Sequence, residues 1–312
     1  GCNYASSHVP LRGCTNDAWN MQCLLRHSFG YTEEQVRCLI EGSDHCPSPP
    51  SRQPTRANIL SSIQWLTADA AAGDNLALFF SGYGTQLPVS SAEGPHQAHL
   101  VPTDFAADLP CDFIAAGPGA VAAGGEPPGA ASAGVPGYRL VPLAELSGAL
   151  AGVPAGCKVT LVLDCCHSAV PGVDHTSPPP LAFPRIEMDL ELNDLPALQP
   201  ALQPRLLDLP PLPTPVPQVP VGPLACHCHC YSACQSQQWC AELPIEGCVQ
   251  GAFTWAFVKA LTGGHLDTTV QQHGKALQCI LADLRRHFSW VEQTPLLQLS
   301  ASARLQDLVL VP

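Results

Sequence analysis

Basic residues are scarce in this chain: 14 Lys plus Arg stand against 26 Asp plus Glu in 312 residues, a formal net charge of -12. The few cations are scattered, which excludes a surface that tracks nucleic-acid phosphates. An acidic exterior suits basic peptides instead, and it also keeps a protein soluble. Long apolar runs are missing as well. Hydrophobic residues make up 46%, yet no stretch approaches the roughly 20 consecutive apolar residues of a membrane-spanning helix, so no membrane partner is expected. No secretory leader is visible. The 16 cysteines lie in apolar segments without the spacing of a small disulfide scaffold, the pattern of reduced thiols, and the expected compartment is the cytoplasm. An initiating methionine and internal repeats are absent. Gly1-Cys2-Asn3-Tyr4 reads as the end of a strand begun upstream.

What is present is an alternation of strand and helix patterns. Ala18 to Phe29 carries Trp19, Cys23, Leu24 and Phe29 at near-helical spacing, with Asn16 or Asp17 able to cap the start. Val36 to Ile40 reads as a strand, Ala57 to Ala71 as a helix and Leu76 to Phe80 as a buried strand. Leu100 to Asp104 is a short extended stretch broken by Pro102, Pro142 to Leu150 a helix, and Val159 to Leu163 a second buried strand. Later come an extended run from Cys226 to Ser232, helices at Gly251 to Leu261 and Lys275 to Phe288, and a last strand at Leu296 to Leu299. Such alternation demands a mostly parallel sheet with helices packed on it.

Two stretches interrupt the pattern. Residues 115–137 are almost wholly Ala, Gly, Pro and Ser, the composition of a flexible insertion. Fifteen prolines between Pro171 and Pro223 mark a linker or surface insertion. The expected organisation is therefore a single domain in two parts, residues 1–170 and 224–312, joined by 171–223.

Chemistry concentrates where two of the strands end. Val159 to Leu163 runs directly into Asp164-Cys165-Cys166-His167-Ser168, and Leu76 to Phe80 runs into Ser81-Gly82-Tyr83-Gly84-Thr85-Gln86. Ligands collect outside the carboxyl ends of parallel strands. A thiol placed there becomes useful when a base can handle its proton.

Phe79-Phe80-Ser81-Gly82-Tyr83-Gly84-Thr85-Gln86 and Leu163-Asp164-Cys165-Cys166-His167-Ser168 together resemble the catalytic segments of the metacaspases, caspase-like cysteine endopeptidases. The likeness extends to Pro54-Thr55-Arg56-Ala57-Asn58-Ile59 and to Gln293-Thr294-Pro295-Leu296-Leu297. It implies an α/β caspase-like fold with about six mostly parallel strands flanked by helices on both faces. It also implies Cys166 as nucleophile and cleavage after Arg or Lys. Cys14, Asp17, Ser81 and Asp164 match the family's pocket positions for the basic side chain; two carboxylates suit a guanidinium because they accept charge-assisted, bidentate hydrogen bonds.

The departure is Tyr83, which stands where the family has its general acid/base histidine. A phenol of pKa about 10 handles protons poorly at neutral pH. His167, beside Cys166, should point away from it, while His96 and His99 follow the Tyr83 loop and are the nearest substitutes in sequence. The family's calcium loop is depleted: Pro102-Thr103-Asp104 is present, but Gln97 and Ala98 precede it, leaving Glu93 and Asp174 as a thin oxygen set. No cofactor is expected. Cys226-His227-Cys228-His229-Cys230 has zinc-type side chains, but along a strand the cysteines face one way and the histidines the other, so no metal site is assigned there. Arg185 and Arg205 lie in the proline-rich stretch, where cleavage by a protease is easiest. The expected protein is a monomer that meets Arg- or Lys-containing peptides, either cutting them weakly or, as a pseudoenzyme, binding them or its active relatives as scaffold or decoy.

Overall fold

The two buried apolar runs become adjacent parallel strands. In this computed structural model, which describes residues 1–42, 47–89, 96–107, 137–173, 204–209, 221–235, 237–264 and 266–311, β1 (Asn75–Ser81) and β5 (Lys158–Asp164) pair in parallel from Asn75↔Lys158 to Ser81↔Asp164. β6 (His227–Ser232) adds in parallel to β5, and β9 (Leu296–Leu299) closes the other side antiparallel. The order is β1-β5-β6-β9. Among the described residues this sheet has four strands rather than about six.

Alternation along β5 shows why the sheet sits in the middle. Val159, Leu161 and Leu163 belong to one apolar cluster, with Ile63 of α2 (Arg56–Thr67) and Leu143, Leu146 and Leu150 of α3 (Leu143–Ala151). Val162 points the other way, into a cluster with Met21 of α1 (Cys14–Cys23), Phe253 and Phe257 of α4 (Ala252–Thr262) and Leu277, Ile280 and Leu284 of α5 (Val270–His287). Helices therefore cover both faces, the arrangement that buries a parallel sheet. Two helix starts are capped as sequence chemistry demands. Thr55 Oγ1 accepts from the Asn58 N–H, and Thr269 with Gln272 forms a reciprocal capping box.

Smaller strands frame the carboxyl end of the sheet. β2 (Gly84–Pro88), β3 (His96–Leu100) and β4 (Val141–Pro142) make an antiparallel trio, and β7 (Glu242–Ile245) with β8 (Cys248–Gly251) makes a hairpin.

Some expectations from sequence need correction. Residues 36–40 form no strand: they stand across a cleft of about 680 Å³ from β1, too far for a ladder, and the Ile40 N–H bonds to the Arg52 carbonyl instead. α1 begins four residues before Ala18, capped by Gly13, and its inward face is Cys14, Asp17, Ala18 and Met21, so that Trp19 is half exposed. A carboxylate and a thiol occupy the face that hydrophobicity alone would assign to the indole. The expected flexible insertion and most of the proline-rich linker, with Arg185, lie outside the described residues.

Candidate active site

The strand register sets the floor of the site. Ser81 and Asp164 are partners at the carboxyl ends of β1 and β5, and the Gly82 N–H donates to the Asp164 carbonyl at 3.3 Å. β2 then leaves so close to β5 that a Cβ on Gly84 would overlap the Cys166 carbonyl. Only glycine fits there.

Arg205 fills the space above this floor. Its side chain is wholly buried: Nη2 lies 2.6 Å from Asp17 Oδ2 and 3.2 Å from Glu242 Oε1, and Nη1 lies 2.9 Å from Asp164 Oδ2. Nη1 also donates to Ser81 Oγ at 2.9 Å, and that hydroxyl donates to Asp17 Oδ2 at 2.8 Å. The carboxylates are held in turn by other groups. Gly251 N–H donates to Asp17 Oδ1, Thr254 gives its N–H and hydroxyl to Asp164 Oδ2, and the Gly13 N–H donates to Glu242 Oε1. Arg205 Nε and Asp164 Oδ1 stay without partners. Burial raises the Asp164 carboxyl to about 6, against the pull of Arg205; at neutral pH it is ionised and paired. Burial alone would weaken the Arg205 charge, but Asp164, Cys14, Asp17 and Glu242 outweigh it and hold the proton more tightly.

The Arg205 backbone is gripped as well. Its carbonyl oxygen accepts from the N–H groups of both Gly84 (3.1 Å) and Cys166 (3.2 Å). Its own N–H donates to the Cys240 carbonyl at 3.1 Å, and the Leu207 N–H donates to the Gly84 carbonyl at 3.1 Å. A guanidinium among three carboxylates and a carbonyl under two N–H donors place side chain and backbone of Arg205 in one site.

Four residues singled out from sequence are thus brought together, with different parts. Asp17, Ser81 and Asp164 touch the guanidinium; Asp17 is no helix cap. Cys14 stands behind them, its thiol 3.7 Å from Glu242 Oε1. Glu242 was missed. The available signal was weak: a single acid between apolar Ala241 and Leu243, at the head of a strand that the sequence reading did not resolve. Arg205 was read only as an exposed cleavage point, whereas it is among the most buried residues in the chain.

Cys166 is buried, and its Sγ accepts from the Cys240 N–H at 3.3 Å. Hydrogen bonds from the Cys234 and Cys240 thiols pull its pKa well below the ordinary thiol range, against the effect of burial. Cys165 is buried in the apolar cluster of the opposite face, where burial raises its thiol pKa. Tyr83 is buried too. Its hydroxyl donates to the Val9 carbonyl at 2.9 Å, its ring stacks on Tyr4 at 4.8 Å, and burial pushes its ionisation further from neutrality. His167 has a left-handed backbone (φ 54°), and burial lowers its pKa. His99, on β3, pairs with Thr85 of β2 and is buried and pushed down to about 4 by desolvation, while His96 is exposed at the start of β3. An imidazole with so low a pKa is a feeble base. Of the calcium set, Glu93 and Asp174 lie outside the described residues. In β6, Cys228 and Cys230 pack in one cluster, while His229 reaches Asp307 (3.1 Å) and the Arg304 carbonyl (3.2 Å).

Known proteins resemble the chain in fold and in part of its sequence. A crystal structure of protein GSU0716 from Geobacter sulfurreducens superposes with a TM-score of 0.56 over 97% of this chain and 89% of that one, at 16% identity, a likeness of fold alone. Metacaspase-1A of Aspergillus fumigatus is 37% identical over 107 residues, 34% of this chain and 25% of the relative. Metacaspase-1 of Emericella nidulans is 41% identical over 107 residues, 34% of this chain and 26% of the relative. The chain thus matches about a quarter of the length of these curated relatives. Among the described residues no helix is long and apolar enough to cross a membrane. Residues 1–110, which carry Cys14, Asp17, Ser81 and Tyr83, match the family model of the metacaspase, peptidase C14 domain.

Proposed function

We propose that the chain is an arginine-directed member of the cysteine endopeptidase family whose pocket binds Arg fully but whose turnover is impaired. The observation that carries this reading is Arg205: the chain's own arginine occupies the pocket, and its carbonyl is held by the N–H groups of Gly84 and Cys166. In the reaction, the Cys166 thiolate attacks the carbonyl carbon that follows the bound side chain, and the two N–H donors stabilise the oxyanion as it forms. The lowered pKa of Cys166 supplies the thiolate without a neighbouring base.

The step that fails is the next one. The amine can leave only if it receives a proton, and the Tyr83 hydroxyl, at the family's histidine position, is committed to the Val9 carbonyl. Without a donor the tetrahedral intermediate expels the better leaving group, the thiolate, and returns to the intact peptide. The same observation favours a second reading, a pseudoenzyme that holds basic peptides or active relatives without cutting them. The expected state is a cytoplasmic monomer with no calcium requirement, acting on Arg- or Lys-containing peptides.

The test is hydrolysis of a fluorogenic arginine peptide by the native chain, Tyr83→His and Cys166→Ala, each also in an Arg205→Ala background and with and without calcium. The expected result is a trace rate in the native chain, a large gain in Tyr83→His and nothing in Cys166→Ala. If Tyr83→His gains nothing and arginine peptides fail to bind Arg205→Ala, the reading is wrong. If the native chain turns over briskly, the pseudoenzyme reading falls.

A further inference from the structure

The loop that closes the site brings two more cysteines to the first. Cys234 follows β6 by two residues and Cys240 precedes β7 by two, and the Cys240 N–H donates to Cys166 Sγ at 3.3 Å just beyond the end of β5. The sulfurs of Cys166, Cys234 and Cys240 all lie within 4.8 Å of one another, all three residues are buried, and Cys234 Sγ and Cys240 Sγ stand 3.1 Å apart. Among the described residues this is the only group of three or more Cys, His, Asp or Glu close enough to share an ion. Cys166 is far in sequence from Cys234 and Cys240, which are six residues apart, so no compact spacing motif announces the trio. The Cys-His-Cys-His-Cys run, which does look like a motif, lies in a strand with its cysteines packed in the core.

We propose that Cys166, Cys234 and Cys240 form a thiolate site for a divalent d¹⁰ ion, zinc, which withdraws Cys166 from any peptide chemistry. Thiolate sulfur binds zinc at about 2.3 Å, which places sulfurs about 3.8 Å apart in a tetrahedral arrangement. The Cys234–Cys240 separation of 3.1 Å is shorter than that value and no separation exceeds 4.8 Å, so small side-chain rotations suffice to reach it. The chemistry of the donors selects the metal. Three sulfurs without oxygen favour soft ions over calcium or magnesium. A divalent ion cancels more of the three buried negative charges than copper(I) does, and buried net charge is costly. One coordination position remains for an exchangeable ligand. Binding releases the thiol protons still present, so affinity rises with pH. The site stands whether or not the chain cuts peptides, because it needs only the three sulfurs.

The experiment uses the full chain, reduced and metal-free under anaerobic conditions with a non-thiol reductant, which prevents disulfides from forming. Cobalt(II) is titrated first and then displaced by zinc against a chromophoric chelator. One equivalent of cobalt should produce intense sulfur-to-metal charge-transfer absorption, and zinc should abolish it. Cys234→Ala and Cys240→Ala should each weaken zinc binding at least a hundredfold, while Cys23→Ser and Cys248→Ser, at exposed positions, should leave it unchanged. X-ray absorption of the zinc-loaded native chain needs no variant and should show three sulfur neighbours. Undiminished affinity in Cys240→Ala, or a first shell of nitrogen and oxygen with at most one sulfur, overturns the proposal. Loss of affinity only in variants at the exposed cysteines does the same.

Discussion

On one side of the Arg205 carbonyl, three carboxylates and a hydroxyl surround a single guanidinium, each steadied by N–H or hydroxyl donors from other elements. On the other side, Cys166 has hydrogen-bond donors but no proton shuttle: Tyr83 is tied to Val9, and His99 is desolvated. Recognition and chemistry, though built on the same strand ends, are therefore separable. A pocket needs charges in fixed places, whereas turnover needs in addition a group that changes protonation state at working pH. On the proposed reading, Tyr83 alone removes the second and leaves the first standing.

The comparison is broken most directly by Tyr83→His, which should raise cleavage after arginine by roughly a hundred to ten thousand-fold. Mass spectrometry would also detect a new chain end after Arg205. Arg205→Ala strikes the other half. It leaves three buried carboxylates without their cation, and urea unfolding at pH 7 should show a loss of about 3–5 kcal/mol. This loss depends on pH. Asp164 has a folded-state pKa of about 6, above its value in the unfolded chain, so its contribution to stability is present at low pH and is lost as pH rises through about 6. Without the pull of Arg205 the Asp164 pKa rises further, so the variant gains more than the native chain as pH falls and should recover part of its deficit between pH 7 and pH 5; a deficit constant across that window would mean that the carboxylates are not buried together. Arg205→Lys keeps the charge but not the fork of donors, and should cost about 1–2 kcal/mol in the same unfolding assay. Smallest of all, Tyr83→Phe should lower stability by about 1 kcal/mol through the lost bond to Val9 and leave residual hydrolysis unchanged. A fall in hydrolysis would make Tyr83 a proton donor after all.

Much of the sheet was legible because three of its four strands are short apolar runs. β1, β5 and β9 fall on such runs and β6 on an alternating Cys-His run, and the carboxyl ends of β1 and β5 lead to Ser81, Asp164 and Cys166. The misses have physical causes too. Residues 36–40 carry a strand composition but face a cleft where β1 would pair, and bond instead to Gly1 and Arg52, while strand propensity counts only with a neighbouring strand to bond. α1 was misplaced because its inward face is polar for the pocket's sake, and polarity normally signals the outside. Glu242 and Arg205 are acid and base that bury each other, a pairing visible only once residues 37 positions apart are folded together. For the same reason the sulfur trio could not be read from spacing.

On the proposed reading Arg205 is a tethered ligand, and that sets the terms on which any other peptide meets the pocket. A group linked to its site through the same chain acts at an effective concentration commonly in the millimolar range. An outside arginine peptide must overcome this standing competitor before its own affinity is expressed. A weak apparent affinity in the native chain would then report the tether and not a poor pocket, and cutting the chain between residues 209 and 221 would convert a permanent occupant into one that can leave.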